Sequence, residues 1–362
     1  MEAIKQQDTD RARGAAPAPS GAGGPAPVAG AGSALEGTLA VPGAFALRHG
    51  GSLQDIALAW RVTGPADAPP VVVMGGISGH RRVFGPPGEE RGWWQEVAGE
   101  GGSYPGARLR TIAFDYLGGS GATTGPRPTD PLGAFPSVSS HDQAALLALL
   151  LDHLGIARVS AITGASYGGM VALAFAERFP ARVGRLLVVS AADRTDPMST
   201  AWRSMQREVL RFAIGCGRGA DGLRLARAMA MATYRSRGEF AERFDGEARR
   251  ASPGARFTFP VEEYLLARGD DYSRRYHPGG FLCLSESIDL HRVDASRIAV
   301  PVDAVAVVED QLVPVGDVRA MVERLPQGRL HVISSHYGHD TFLKESGKLR
   351  PFLGTLPAEA PP

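Results

Sequence analysis

Cysteine is nearly missing. Cys216 and Cys283 are the only two, which excludes a disulfide framework and leaves no metal-ligand spacing to build a metal site from. The expected compartment is therefore a reducing cytoplasm. An excess of charge of either sign is missing too, since 39 Lys and Arg stand against 38 Asp and Glu, a formal net charge of +1. Such a chain has no field to draw nucleic acid or an acidic membrane surface, so small-molecule chemistry is expected. Long apolar runs are also lacking: Ala144 to Leu151, bounded by Gln143 and Asp152, falls far short of the ~20 residues a membrane span requires. No apolar stretch follows a basic start at the N-terminus, so no secretory signal is read there.

What is present divides the 362 residues into three kinds of sequence. From Ala15 to Ser33 the chain is almost wholly Ala, Gly, Pro and Ser, which cannot bury enough apolar surface to offset the entropy of ordering. Residues 1–36 are therefore expected to be a disordered tail. Beyond it, bulky runs end in Gly or acidic turns and alternate with helix-period segments: Val71 to Met74, Leu109 to Phe114, Val159 to Thr163, Leu186 to Val189, Val302 to Val308 and Leu330 to Ile333. Strands without polar alternation, spaced by helices, predict a parallel sheet covered on both faces, with its sites at the strand C-terminal ends. Between 196 and 292 the rhythm gives way to charged, Arg-rich, helix-period sequence. That stretch is expected to be a helical lid inserted into a core formed by 37–195 and 293–362.

One turn in that core carries chemistry. Gly164-Ala165-Ser166-Tyr167-Gly168-Gly169 follows an apolar run and precedes the Ala-rich helical pattern Met170 to Phe179. In a Gly-x-Ser-x-Gly elbow the residues two either side of the serine must be small because backbones crowd there, and the hydroxyl is left exposed at the sheet edge. An isolated match of this kind is also what an ordinary Gly-rich βα turn looks like, so its partners decide. A serine nucleophile needs a base, and the base an orienting carboxylate, in the chain order Ser, Asp or Glu, His. Val302 to Val308 runs into Glu309-Asp310, giving Asp310 as the acid with Glu309 as its neighbour and competitor. Leu330 to Ile333 runs into Ser334-Ser335-His336-Tyr337-Gly338-His339-Asp340, giving His339 as the base, with His336 in the same loop and His331 inside the strand. Three partners at three strand ends predict an α/β-hydrolase fold: a mostly parallel, doubly wound sheet with an inserted helical lid. The oxyanion donors are expected to be the Tyr167 backbone N–H and one from the loop Gly75 to Gly79, where Ile77 is chosen although Gly76 and Ser78 are not separable from it.

From about Ala46 to its end the chain resembles the homoserine O-acyltransferase family. The elbow Gly164 to Met170 is similar to that family's, as is Asp115-Tyr116-Leu117-Gly118-Gly119-Ser120 running to Thr124-Gly125-Pro126. Trp93-Trp94, Gln206-Arg207-Glu208, Thr233-Tyr234-Arg235-Ser236 and Gly338-His339-Asp340-Thr341-Phe342-Leu343 match it in order. The resemblance implies a ping-pong mechanism without a cofactor. Ser166 takes an acyl group from acyl-CoA as co-substrate, and the L-homoserine hydroxyl, deprotonated by His339, collects it. It further implies Arg227, Tyr234 and Asp340 as substrate-binding residues, with Arg227 on the amino acid carboxylate and Asp340 on its ammonium, and a homodimer formed through the lid. Tyr167, Asp115 and Gly75 depart from the usual Met, Asn and His and mark a divergent branch. A succinyl group brings a carboxylate that requires a cation nearby. Leu312 offers none, whereas Arg203 occupies a position that carries Arg in succinyl-using relatives, so succinyl is expected over acetyl. Serine as acceptor, or water in a plain hydrolase, are the alternatives.

Overall fold

The computed structural model describes residues 34–85, 90–131, 133–250 and 252–356. Eight strands form one sheet: β1 (Ala34–Ala46), β2 (Ser52–Thr63), β3 (Pro70–Met74), β4 (Arg110–Phe114), β5 (Ala161–Ala165), β6 (Leu186–Val189), β7 (Val302–Val307) and β8 (Gly328–Ile333), in the order β1-β2-β4-β3-β5-β6-β7-β8. From β4 to β8 every pairing is parallel, and β1 and β2 add an antiparallel edge. The strands β5, β6 and β7 are buried along their whole length, which is why their sequences show no polar alternation.

Helices cover both faces. On one lie α2 (Ser140–His153) and α3 (Tyr167–Arg178), whose apolar side chains meet Val72, Met74, Ile112, Ile162 and Val188. On the other, α1 (Gln95–Ala98) and residues near the C-terminus meet Val71, Val73, Ala113, Leu187 and Val189. The start of α2 is fixed by a capping box in which Ser139 and Asp142 serve each other's backbone N–H groups, and Asp142 Oδ1 also accepts from the Arg48 N–H at 2.8 Å. Ala144 to Leu151, the apolar run noted above, is the body of this helix.

Among the described residues between β6 and β7 stand α4 (Pro197–Gly215), α5 (Gly219–Tyr234), α6 (Arg237–Phe244), α7 (Pro260–Ser273) and α8 (Pro278–Asp289). They have a small core of their own, built on Leu210, Leu223, Ala226, Tyr272, Phe281 and Leu282. An antiparallel bridge between Arg194 and Arg292 closes the neck where the chain leaves and re-enters the sheet. Asp196 caps α4 by accepting from the Ser199 N–H at 2.9 Å, and the Ser199 hydroxyl donates to the Leu312 carbonyl at 2.8 Å, tying this helix to the loop after β7. The last elements are α9 (Val315–Val322), α10 (Thr341–Lys344) and α11 (Ser346–Leu353). Among the described residues no helix is long and apolar enough to cross a membrane.

Two expectations shift. Residues 1–33 lie outside the described residues, but Ala34, Leu35 and Glu36, assigned to the tail, begin β1, where Glu36 is in register with Arg61 and its carboxylate pairs with the Arg61 guanidinium. The fifth strand runs Ala161–Ala165 rather than from Val159, which makes only an isolated bridge to Val183. The hairpin β1–β2 was not foreseen. Its outer strand alternates part-buried and exposed residues and carries Pro42 and Gly43 at a register shift between Val41 and Ala44, so no bulky run betrays it.

Candidate active site

β5 ends in a turn that only small neighbours permit. Ser166 sits at φ 53° and ψ −121°, a backbone conformation that places its side chain outside the sheet and immediately before α3. A Cβ on Gly164 would lie 2.3 Å from the Gly168 carbonyl oxygen, and one on Gly168 would lie 2.3 Å from that of Met74. Those two glycines let β5, α3 and β3 close on one another, and the Ser166 N–H donates to the Val189 carbonyl at 2.9 Å to hold the strained residue.

The acid and base arrive from the ends of β7 and β8, beyond β6. Asp310, just past β7, accepts at Oδ1 from the backbone N–H groups of Leu312 at 2.9 Å and Val313 at 3.0 Å. Its Oδ2 faces His339 Nδ1 at 2.7 Å, and His339 Nε2 lies 2.9 Å from Ser166 Oγ. Carboxylate, ring and hydroxyl thus form one relay, with Asp310 and His339 buried and Ser166 part-buried. Burial alone would push the His339 pKa down, but the charge and hydrogen bond of Asp310 hold it above the ordinary imidazole value. His339 is presented by a single 3₁₀ turn behind Gly338 at φ +54°. The competitors point elsewhere: Glu309 takes the Ser334 hydroxyl at 2.5 Å and the Ser335 N–H at 2.7 Å, His336 pairs with Glu242 at 2.9 Å, and His331 with Asp303 at 2.9 Å.

Ser166 and His339 open into a cavity of about 290 Å³ whose walls include Gly76, Ile77 and Ser78 from the loop after β3 and Arg203, Arg227 and Tyr234 from the inserted helices. The Tyr167 N–H, first in α3, has no hydrogen-bond acceptor among the described residues, and neither do the N–H groups of Gly76, Ile77 and Ser78. Arg227 is part-buried, with its guanidinium carbon 4.9 Å and 4.7 Å from the ring centroids of Tyr234 and Tyr272. It donates to the Tyr234 hydroxyl at 3.3 Å and has no carboxylate within ion-pair reach among the described residues. Asp340 also lines the cavity, its Oδ2 3.0 Å from Arg235 Nε, a neighbour the sequence reading did not assign it. Burial pushes the Asp340 carboxyl above its usual range despite Arg235 and Arg227. Arg203, which lines the cavity, shares Asp289 with Arg207, at 2.7 Å and 2.6 Å, so two cations stand on one carboxylate.

The three departures each have a local partner. Asp115 pairs with the Arg81 guanidinium and accepts from the N–H groups of Arg81 at 2.7 Å and Ala122 at 2.8 Å. A Cβ on Gly75 would lie 2.8 Å from the Trp93 ring, which fills the space a side chain would need. The Tyr167 hydroxyl meets the Ser287 hydroxyl at 2.6 Å and so links the elbow to α8. Tyr272, Tyr276, Arg235 and Asp289 were missed as members of this site. The four-residue spacing of the two tyrosines was visible, but the pairing of Arg235 with Asp340 and of Asp289 with Arg203 joins distant parts of the chain.

A doubly wound sheet with serine, acid and histidine at the ends of β5, β7 and β8 defines an α/β hydrolase, and residues 69–346 match the family model for the alpha/beta hydrolase fold. A homoserine O-succinyltransferase from Xanthomonas campestris pv. campestris is 41% identical over 317 residues, covering 85% of this chain and 80% of the relative. A homoserine O-acetyltransferase from Leifsonia xyli subsp. xyli is 34% identical over 349 residues, covering 85% and 87%. The chain belongs to the homoserine O-acyltransferase family. The crystal structure of a homoserine O-acetyltransferase from Bacillus anthracis has the same fold, with a TM-score of 0.81 over 90% of this chain and 98% of that one at 17% identity.

Proposed function

We propose that this chain transfers an acyl group, succinyl in preference to acetyl, from acyl-CoA to the hydroxyl of L-homoserine in methionine biosynthesis. Ser166 Oγ attacks the thioester carbonyl while its proton moves to His339 Nε2, the C–S bond breaks, and the thiolate leaves with that proton. The homoserine hydroxyl then gives its proton to the same nitrogen and attacks the acyl-Ser166 ester, and Ser166 recovers its proton as the ester bond breaks. Negative charge on each tetrahedral carbonyl oxygen falls to the free N–H groups of Tyr167 and Ile77. No cofactor takes part in either half.

The observation that carries the reading is Arg227: a cation with no carboxylate within ion-pair reach among the described residues, its guanidinium over two tyrosine rings in the same cavity as Ser166. An acceptor with a carboxylate completes it, whereas an enzyme that hands its acyl group to water has no use for it. Asp340 serves the ammonium at the other end of the amino acid. The succinyl preference rests on Arg203 and Arg207 sharing one carboxylate, a pair left with a positive balance that a second acyl carboxylate offsets.

Thiol release from succinyl-CoA and from acetyl-CoA, each with homoserine, serine or water as acceptor, tests all of this together. Release by succinyl-CoA that depends on homoserine is expected; release indifferent to any amino acid would overturn the transferase reading. The acyl-CoA requirement and two unpaired cysteines, Cys216 and Cys283, support a cytoplasmic location. A second copy of the chain is proposed to cover the exposed Met198, Trp202, Met205 and Phe212 of α4 and Leu225 of α5. Sedimentation should give a dimer, with Trp202→Asp shifted to the monomer; a native monomer would remove that proposal.

A further inference from the structure

Arg227 and the loop after β3 serve different halves of the site, yet one column of rings runs between them. Arg227 lies over Tyr272, and Tyr272 stacks on Tyr276 with centroids 4.1 Å apart and planes inclined by 14°. The stacking follows from the sequence. The two tyrosines are four residues apart at the end of α7, where the Tyr276 N–H still donates to the Tyr272 carbonyl at 3.0 Å, so both rings leave the helix on one side. At the far end of the column the Tyr276 hydroxyl donates to the Ser78 carbonyl at 3.1 Å.

Ser78 belongs to a tight turn closed by the Gly79 N–H on the Gly76 carbonyl at 2.7 Å, and this turn, which includes Ile77 as the chosen oxyanion donor, lines the cavity beside Ser166. The front of the turn is held separately, because the Tyr116 hydroxyl donates to the Gly75 carbonyl at 2.7 Å and the Gly168 N–H donates to the same oxygen at 2.9 Å. Only its back rests on the ring column. An oxyanion donor contributes about 10²–10³ in rate and does so only at the right distance, so whatever sets the back of this turn sets the rate. A carboxylate on Arg227 neutralises the cation and fixes where it sits between the rings, and close packing passes a small displacement along the stack.

We propose that Tyr272 and Tyr276 are positioning residues that couple occupancy of the acceptor subsite at Arg227 to the alignment of the oxyanion turn through Ser78. The acyl-enzyme is then fully activated only when an amino acid is seated, which favours transfer over loss to water. This rests on the reading of Arg227 as the anchor of the acceptor carboxylate.

L-2-aminobutyrate separates the two. It has the carboxylate and ammonium of homoserine without the hydroxyl, so it fills the subsite and leaves water as the only acceptor. Hydrolytic thiol release from succinyl-CoA by the native chain should rise about fivefold or more as the analogue saturates, a coupling of ordinary size. Tyr276→Phe keeps the ring and removes only the hydroxyl to Ser78. It should lose that activation and lower kcat for homoserine by about tenfold, as expected for a misaligned donor, while the homoserine KM and the inhibition constant of the analogue stay nearly unchanged. Competition with homoserine but no activation in the native chain, or equal activation in Tyr276→Phe, would overturn the coupling. An analogue that does not compete with homoserine at all would overturn the anchor reading of Arg227 itself, and the coupling with it.

Discussion

The sheet and the inserted helices solve different problems with different materials. The sheet is buried aliphatic sequence, and it places Ser166, Asp310 and His339 by backbone geometry: a strained elbow, a carboxylate held by two N–H groups, a ring behind a positive-φ glycine. The helices are charged and place Arg203 and Arg227 by side-chain contacts with Asp289, Tyr234 and Tyr272. What the difference teaches is a division of labour. Bond making is set where the chain is rigid, and substrate choice where side chains can be exchanged at small cost to folding.

Removing a triad residue at the sheet should therefore abolish chemistry, and removing a substrate-binding arginine of the helices should chiefly change which substrate is used. Ser166→Ala is expected to lower turnover by about 10⁵–10⁶-fold, read as thiol release, because the nucleophile acts as one unit with its base. A loss under tenfold would break the comparison at its root. Asp310→Asn should cost about 10⁴-fold by destroying the orienting acceptor for His339 Nδ1. The same residue sets the pH profile. His339 must be neutral to take the Ser166 proton, so activity falls as pH drops through its pKa, and because that pKa is raised the acid limb should have its midpoint above the ordinary value of 6.5. In Asp310→Asn the burial effect is opposed only by the weaker pull of Asp340, and the residual activity should show a limb moved to lower pH.

In the helices, Arg227→Ala should raise the homoserine KM about 30-fold or more by leaving the acceptor carboxylate unpaired, with a nearly unchanged rate of acyl-enzyme formation in single-turnover measurements. An equal loss in both quantities would place Arg227 with the chemistry. The smallest effect is expected at Arg203. Arg203→Ala leaves Arg207 on Asp289 and should reduce the preference for succinyl-CoA over acetyl-CoA about tenfold. Proportional losses with both donors would remove the role assigned to its charge.

The same division decides how much could be read in advance. Ser166, Asp310 and His339 were legible because each follows a bulky aliphatic strand, and strand ends are where such a fold exposes side chains. The six core strands were found within about two residues on the same ground, while β1 escaped because a half-exposed edge rich in Ala and Gly has no such signature, and β2 because Gln54, Asp55 and Arg61 interrupt its apolar residues. Ile77 could not be told from Gly76 and Ser78, because the direction of a backbone N–H depends on torsions rather than on residue type, and among the described residues all three N–H groups lack an acceptor. Glu309 and His336 could be set aside only when Ser334, Ser335 and Glu242 were seen to occupy them. Asp289, Arg235 and the Tyr272–Tyr276 pair depend on tertiary contacts between helices, and helix periodicity predicts a helix without saying which neighbour its polar face meets.

The bridge between Arg194 and Arg292 brings the two ends of the inserted segment side by side. For the core, everything between those residues is a closed excursion: it leaves and returns at one point, and the loop-closure entropy grows only slowly with the length of what is inserted. A different helical cassette spliced at the same two positions would leave the elbow, acid and base standing, which makes this neck the natural seam for transplanting one acceptor preference onto another's catalytic frame.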